Sequence, residues 1–359
     1  MNILIDGMGG DNSPVDVIKG AMLAAKQIDE TISIIGPKER ICTLLAAEGC
    51  QADDTADVEA LGYVPFTNKD GKAFRVYPAS DIITNNEAPA MAVRKHKDST
   101  IVRGISLVKS GEADIFLSAG STGALLTGSL LILGRIKGVK RPGIATFFPK
   151  IGQNDTMLIV DVGASVDPKP EYLLQFGIMG SIFVNLVKGV ENPAVMMLNV
   201  GAEAEKGDEV HKEAYRLLMD SSLNFLGNVE GRDVPFGPCD VVVTDGFAGN
   251  IFLKTAEGVA LVIMKTIKQK LTETTAAKLG ALLAKNKLYE LKSELNYSEE
   301  GGAPILGVNG AVLKVHGNSK AEDFCNAILK AVPYVNHNVT RRIAEAILAN
   351  KELQGAQNE

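Results

Sequence analysis

The sequence has few of the residue patterns that build metal centres or disulfides. Its four cysteines include no Cys-x-x-Cys pair, and its four histidines are not spaced as metal ligands. Zinc sites need such clusters, so we expect no metal and free thiols. No signal peptide precedes the strand predicted at Asn2, which favours a reducing cytoplasm.

Long hydrophobic runs and excess positive charge are also missing. No uncharged apolar run reaches the length of about 20 residues that spans a bilayer. The formal net charge of -6 argues against a nucleic-acid binder, which needs a basic surface. With 46% hydrophobic and 22% charged residues among 359, the composition is typical of globular proteins, so we expect a soluble or at most peripheral protein.

Short apolar strands alternate with helical patterns over most of the chain. Strands are predicted at residues 2–6, 32–35, 115–117, 144–147, 157–160, 195–200, 224–226 and 241–243. This alternation predicts an α/β fold with a mostly parallel, helix-covered sheet, in a single domain over residues 1–359. Residues 51–77 are rich in turn-forming residues and are predicted to be a mobile excursion outside the core.

Helices are predicted between these strands. One is expected to begin at Ser13 and Pro14, with Ser13 as its cap, because Ser suits the cap and Pro the first helical position. Another is expected to run without a break from Pro89 to Val108.

Residues 255–298 contain no strand pattern and are predicted to form an inserted helical hairpin. Two apolar stripes carry this prediction: Ala260, Ile263, Met264, Ile267 and Leu271, then Ala284, Leu288, Leu291 and Leu295. Six lysines against one acid lie between residues 259 and 288. Basic amphipathic helices lie on anionic membranes, but such stripes also form core or dimer surfaces.

Four apolar strands each run into a glycine-rich turn, at residues 6–11, 118–124, 161–164 and 244–250. Open α/β sheets bind ligands at the carboxyl ends of their strands, so we expect the four turns to form one shared site. The candidate ligand-binding residues in the last two turns are Asp161, Gly163, Asp245, Gly246 and Gly249.

The turn of Gly9, Gly10 and Asp11 lacks the third glycine of the dinucleotide fingerprint, which disfavours NAD. A glycine turn before a helix offers free N–H groups to an anion, although a purely structural turn has the same pattern.

The second turn contains Gly120, Ser121, Thr122 and Gly123, whose hydroxyls and amides can surround a phosphate. The spacing of these residues is one short of the nucleophile elbow of serine hydrolases, so a Ser-His-Asp mechanism is a poor match.

Three polar side chains are further candidates, Asn250 at the end of the fourth turn and Lys206 and His316 beyond other apolar stretches. Lys206, on a glycine-bounded loop, can neutralise phosphate or an oxyanion, or it is a solvated loop lysine. The amide of Asn250 can orient an anion or cap the following helix. His316 is either catalytic or a hydrogen-bonded structural residue.

In these motifs the chain closely resembles the bacterial phosphate acyltransferase family of the PlsX type. The residues that carry the resemblance are 6–11, 87–94, 118–124, 134–138, 141–142, 161–164, 199–201, 227–230, 244–250, 301–303 and 316–317. Two departures are Ser121, where the family usually has Asn, and the longer segment at residues 51–77.

The resemblance implies a Rossmann-like sheet with helices on both faces, similar to isopropylmalate dehydrogenase and phosphotransacetylase. It implies a homodimer that transfers a fatty acyl group from acyl carrier protein to inorganic phosphate, with no cofactor. The acyl phosphate would serve a downstream membrane acyltransferase in phospholipid synthesis. The family's proposed catalytic pair falls on Lys206 and Asn250, and its hairpin would bind the anionic inner face of the cell membrane.

Two alternatives stay open. A soluble phosphotransacetylase acting on short acyl-CoA would share the chemistry, but the basic hairpin argues against it. A non-catalytic membrane scaffold would keep the fold and the hairpin, but the four glycine turns with Lys206 and Asn250 argue against that.

Overall fold

A computed structural model describes residues 1–153, 155–294 and 301–357. The strands in chain order are β1 (Asn2–Asp6), β2 (Thr31–Gly36), β3 (Gln51–Ala52), β4 (Val64–Thr67), β5 (Ala73–Pro78), β6 (Ile115–Ser118), β7 (Gly143–Lys150), β8 (Asp155–Val160), β9 (Ala194–Asn199), β10 (Asn224–Glu230), β11 (Val241–Val243), β12 (Ala303–Leu306) and β13 (Ala311–Lys314).

The helices in chain order are α1 (Val15–Ala24), α2 (Lys38–Ala47), α3 (Val58–Leu61), α4 (Pro89–Lys95), α5 (Thr100–Ser110), α6 (Thr122–Gly128), α7 (Pro170–Lys188), α8 (Glu209–Met219), α9 (Gly246–Thr272), α10 (Thr275–Leu283), α11 (Lys285–Glu294), α12 (Ala321–Asn336) and α13 (Val339–Gln357). A π-helical turn, Ser129–Leu133, continues α6, and a 3-10 turn, Val234–Phe236, precedes β11.

The chain forms two compact units. The first comprises Met1–Pro142 and Glu300–Leu348, and the second comprises Gly143–Glu299 and Ala349–Glu359. The prediction of one domain over residues 1–359 stays a prediction, and the units are described in turn.

The first unit has the strand order β12-β13-β6-β1-β2-β5-β4-β3. The strands from β13 to β5 are parallel, and the antiparallel strands β12, β4 and β3 lie at the two ends. All five residues of β1 are buried, and successive strand residues point to opposite faces. Both faces of the sheet are therefore covered, as the predicted α/β class requires.

The second unit has the order β10-β9-β11-β8-β7, with β7 antiparallel to β8 and the other pairs parallel. Helix α7 packs closely on this sheet, because a Cβ on Gly180 would lie 2.7 Å from Cγ1 of Val241. Both units thus have the mostly parallel sheet that the alternation predicts.

Three local predictions are wrong. Residues 51–77 are part of the fold: β5 pairs with β2, and the side chains of Phe66 and Phe74 are buried. The helix after Pro89 breaks at His96, and Ser99 caps a second helix. Ser13 does not cap α1, because its hydroxyl donates to the carbonyl of Gly9 instead.

The segment predicted as a hairpin begins earlier than expected. Helix α9 starts at Gly246, directly after the 244–245 turn, so the first apolar stripe continues a helix that begins at a candidate site. In the described part of the chain, α9 alone is long and apolar enough to cross a membrane by length and composition, and 11% of its apolar window is buried. Leu295 and residues 296–298 lie outside the described residues, and the hairpin itself stays a prediction.

Candidate functional site

In the first unit, three segments meet beyond the carboxyl ends of β1, β6 and β13. The hydroxyl of Ser118 donates to Oδ2 of Asp6 at 2.7 Å, and Oδ1 of Asp6 accepts the N–H groups of Met8 and Gly9 at 3.0 and 3.1 Å. Burial raises the pKa of Asp6, while these donors favour its ionised form. This buried carboxyl therefore ties the first glycine turn to the second.

The turn at Gly9 and Gly10 has little room for side chains. A Cβ on Gly9 would lie 2.6 Å from the backbone nitrogen of Gly120, and Gly10 has a φ of +96°, which favours glycine. The N–H of Asp11 donates to the carbonyl of Gly317 at 2.7 Å, and the Asp11 side chain is exposed. These two glycine turns and the loop after β13 thus pack backbone to backbone.

The predicted phosphate ligands around Ser121 have different surroundings. The Ser121 side chain is buried and caps α6 by accepting the N–H of Ala124 at 3.4 Å. Thr122 is exposed. A Cβ on Gly123 would lie 2.6 Å from Cγ of Pro89, so the glycine at this position allows α4 and α6 to pack closely. Only Thr122 of these side chains is left exposed to meet a ligand.

Unpaired backbone donors are the main binding feature of the first unit. The N–H groups of Gly10, Ser121, Thr122 and Gly123 have no acceptor among the residues that the structure describes. Unpaired amides on neighbouring turns are suited to bind an anion. Nearby, Nδ1 of His316 lies 2.6 Å from Oδ1 of Asn318, so this ring nitrogen is engaged within its own loop.

In the second unit, a buried carboxylate organises the third turn. Asp161 is fully buried, and its oxygens accept the N–H groups of Ile144, Gly163, Ala164 and Ser165 at 2.7–3.1 Å. Burial raises the pKa of Asp161 to about 6, although the N–H donors favour the ionised form. The turn is therefore built around this side chain, which is not exposed to a substrate.

The fourth turn packs directly on the third. A Cβ on Gly246 would lie 2.8 Å from Oδ2 of Asp161, and one on Gly249 would lie 2.1 Å from the Asp161 carbonyl oxygen. Neither position tolerates a side chain. A Cβ on Gly163, whose φ is +141°, would lie 4.0 Å from Cγ of Asn250, so Asn250 stands beside the third turn. Its side chain is exposed in the second turn of α9.

Asp245, and not Asn250, caps α9, so the capping interpretation of Asn250 is wrong. Oδ1 of Asp245 accepts the N–H groups of Phe247 and Ala248 at 2.8 and 2.9 Å. The N–H groups of Gly246 and Gly249 donate to the carbonyls of Ser165 and Asp245. The four amides of residues 246–249 are therefore used within the chain.

Lys206 lies on a loop of the second unit, and two asparagine side chains donate hydrogen bonds to the backbone of this loop. Nδ2 of Asn199 donates to the Lys206 carbonyl at 3.1 Å, and Nδ2 of Asn228 donates to the Glu203 carbonyl at 2.8 Å. The Lys206 side chain is 49% exposed, and its ammonium is 4.0 Å from a Glu203 oxygen. Such an exposed, distant ion pair leaves the cation accessible to a ligand.

The structure thus brings the four turns together as two pairs, one in each unit. Whether all four belong to one site stays a prediction, as do the roles of the individual residues.

Comparison with known proteins gives the family. The family described as "Fatty acid synthesis protein" matches residues 1–342. The phosphate acyltransferase of Caldanaerobacter subterraneus subsp. tengcongensis is 44% identical over 348 residues, covering 97% of both chains. That of Clostridium acetobutylicum is 43% identical, covering 97% of this chain and 99% of the relative.

The chain belongs to the phosphate acyltransferase family. It is accordingly an acyltransferase enzyme.

Solved structures agree with this fold. A phosphotransacetylase from Streptococcus pyogenes aligns with a TM-score of 0.56 at 15% identity, over 96% of this chain and 94% of that one. A branched-chain phosphotransacylase from Enterococcus faecalis V583 aligns at 0.51 and 16% identity, over 93% of this chain and 100% of that one. The predicted phosphotransacetylase-like fold is therefore confirmed.

Two features of this phosphate acyltransferase family member were missed from sequence. Asp6 shows the same Asp-Gly pattern at a strand end as Asp245, yet it was not among the candidate residues. His211 was treated as one of four scattered histidines, but its ring contacts both Asp208 and Asp245. Its spacing of three residues from Asp208 is a helix-cap signal, whereas its pairing with Asp245 depends on the fold.

Proposed function

We propose that this protein transfers a fatty acyl group from acyl carrier protein to inorganic phosphate and releases acyl phosphate. The observation that carries the proposal is the set of N–H groups at Gly10 and residues 121–123 that find no acceptor within the described ranges, in a chain whose relatives are named phosphate acyltransferases. Short backbone donors bind phosphate oxygens without needing a metal. These turns therefore support a reaction in which phosphate is a substrate.

The proposed reaction is a direct displacement. A phosphate oxygen attacks the thioester carbonyl, a C–O bond forms, the C–S bond breaks, and the thiolate of the carrier takes the electron pair. Phosphate is already an anionic nucleophile at neutral pH, so the protein mainly has to orient the reactants and stabilise the oxyanion. Lys206 would neutralise phosphate or the oxyanion, and the Asn250 amide would orient one of them.

We also propose that the protein is a homodimer bound to the anionic inner face of the cell membrane, where it passes acyl phosphate to a membrane acyltransferase. Exposed apolar side chains of α9 and α10 support this part of the proposal: Val259, Leu261, Val262, Ile263, Leu279, Leu282 and Leu283. Lys265 and Lys268, on α9, are basic groups suited to anionic lipid.

Product detection tests the proposed reaction. The purified protein is given acyl carrier protein thioester and phosphate, or acetyl-CoA and phosphate, and acyl phosphate is measured by mass spectrometry. We expect product from the carrier thioester and much slower turnover of acetyl-CoA. Preferred turnover of acetyl-CoA would identify a phosphotransacetylase, and absence of acyl phosphate with both donors would indicate a non-catalytic scaffold.

Asn250→Ala is expected to reduce acyl phosphate formation without lowering the melting temperature. Asp245 caps α9, and alanine is favourable inside a helix, so the substitution removes an exposed amide at no structural cost. The measurement is kcat with phosphate saturating, beside a thermal melt. Normal turnover at an unchanged melting temperature would remove Asn250 from the reaction.

Replacing Leu282 and Leu283 by Glu is expected to weaken binding to anionic vesicles. Their side chains are 66% and 84% exposed, and two added carboxylates would both remove apolar surface and repel anionic lipid. Co-sedimentation with vesicles should fall, while activity on soluble carrier thioester largely survives.

The matched control is Leu61→Glu, which charges an exposed leucine of the first unit and should leave vesicle binding unchanged. A double variant that stays on vesicles but becomes monomeric would show that α10 is a dimer surface.

A further inference from the structure

The ring of His211 lies between two carboxylates that each cap a helix. Nδ1 is 2.7 Å from Oδ1 of Asp208, which caps α8, and Nε2 is 3.6 Å from Oδ2 of Asp245, which caps α9. The histidine side chain is 18% exposed and that of Asp245 is 9% exposed. One largely buried ring therefore connects the starts of two helices.

Each of these helix starts adjoins one member of the proposed catalytic pair. Asp208 follows Lys206 by two residues, and Gly207 between them packs on the histidine, because a Cβ there would lie 2.8 Å from Cβ of His211. Asn250 lies one turn beyond the Asp245 cap on α9. The ring is thus a contact between the Lys206 loop and the helix that carries Asn250.

A neutral ring cannot satisfy both carboxylates. A neutral imidazole has one N–H and no charge, whereas the protonated ring presents an N–H and a share of its positive charge to each carboxylate. In the described part of the chain, Asp208 from the start of α8 and Asp245 from the start of α9 are the charged groups within ion-pair distance of the ring. When the ring is neutral, the negative charges of these two carboxylates are no longer compensated by it.

We propose that His211 is a positioning residue for acyl transfer: its protonated ring holds the Lys206 loop and the start of α9 in the arrangement that reaction requires. The proposal rests on the proposed function, because it needs Lys206 and Asn250 to act on the same reaction.

The direction of the pH dependence follows from the charge. The nearby carboxylate of Asp245 raises the pKa of His211 above its usual value, burial opposes this effect, and Asp208 adds to it. The double contact is therefore complete below pH about 6.5, the ordinary histidine pKa, and is lost as the pH rises through the raised value. Turnover should fall over the same range.

Two substitutions separate the charge of the ring from its shape. His211→Gln keeps a donor but no charge, and it should lower kcat about tenfold to a hundredfold with little change in the KM for phosphate. His211→Lys keeps a cation throughout this range, so its kcat should stay level where that of the wild type falls. His337→Gln is the matched control: this histidine is exposed in the first unit, and its variant should keep the wild-type profile.

The experiment measures kcat from pH 6 to 9 for all four proteins, with NMR titration of the His211 ring in the wild type. The proposal is overturned if His211→Lys keeps the alkaline fall, or if the ring titrates at or below its ordinary pKa. If His211→Gln does not fold, the lysine variant and the ring titration still decide. Absence of product from the wild type would instead refute the proposed function. The ring titration would then test only whether His211 is held by Asp208 and Asp245.

Discussion

Lys206→Ala is expected to lower the rate of acyl phosphate formation by about two to three orders of magnitude, the range for loss of one preorganised electrostatic partner. The Lys206 side chain is half exposed. Among the described residues its ammonium pairs with Glu203 alone, at 4.0 Å, and this weak pair leaves the cation available to phosphate or to an oxyanion. The measurement is kcat/KM for phosphate by product mass, together with a melting curve that should stay close to that of the wild type.

Lys212→Ala is the control for this loss of charge. Lys212 lies in the same unit on α8 and pairs with Glu209 at 2.9 Å, but nothing places it in the proposed reaction. Its removal should leave turnover near normal. Equal effects of the two substitutions would mean that net charge, and not Lys206 itself, is what the reaction needs, and near-normal turnover of Lys206→Ala would remove it from the mechanism.

Asp161→Ala is expected to cost the largest amount of stability, about 2 to 6 kcal/mol. Of the four residues whose N–H groups the carboxylate accepts, Ile144 and Ser165 are buried, and each would lose its acceptor at about 1 to 3 kcal/mol. The measurement is the free energy of unfolding in denaturant. Activity per folded molecule should fall as well, because Asn250 stands beside this turn.

Asp167→Ala is the matched control for the buried carboxylate. Asp167 is exposed six residues further along the same loop, so its removal should change the free energy of unfolding by less than about 0.5 kcal/mol. If Asp161→Ala is equally mild, water or a rearranged turn satisfies the two buried donors, and the carboxylate is not what organises the turn.

The sequence is informative wherever one segment contains the whole signal. The apolar runs that became β1, β6, β8 and β11 each end at the residues where the structure ends them, or within one or two residues. The glycine turns after them were visible for the same reason, because a turn that follows a buried strand needs glycine locally. The class of fold and the four candidate turns could therefore be predicted.

Other errors arose where a local pattern competes with distant partners. Residues 51–77 have the composition of a loop, but pairing of β5 with β2 and burial of Phe66 and Phe74 make them part of the sheet. Asn250 has the residue type of a cap, but Asp245 takes that role five residues earlier. Local propensity cannot rank such alternatives, because the deciding contacts are made elsewhere in the chain.

By itself, then, the sequence determined the alternating α/β class, the glycine turns and the family to which the chain belongs, since all three depend on residue types at short or fixed spacings. Only the tertiary structure decided which donors remain free for an anion. The amides at Gly10 and residues 121–123 have no acceptor in the part of the chain that the structure describes, whereas those at residues 246–249 are used within the chain. It also decided the contact of His211 with Asp245, 34 residues away in the sequence. Hydrogen bonds are completed by whichever groups the folded backbone brings within about 3 Å, and sequence spacing does not record that proximity.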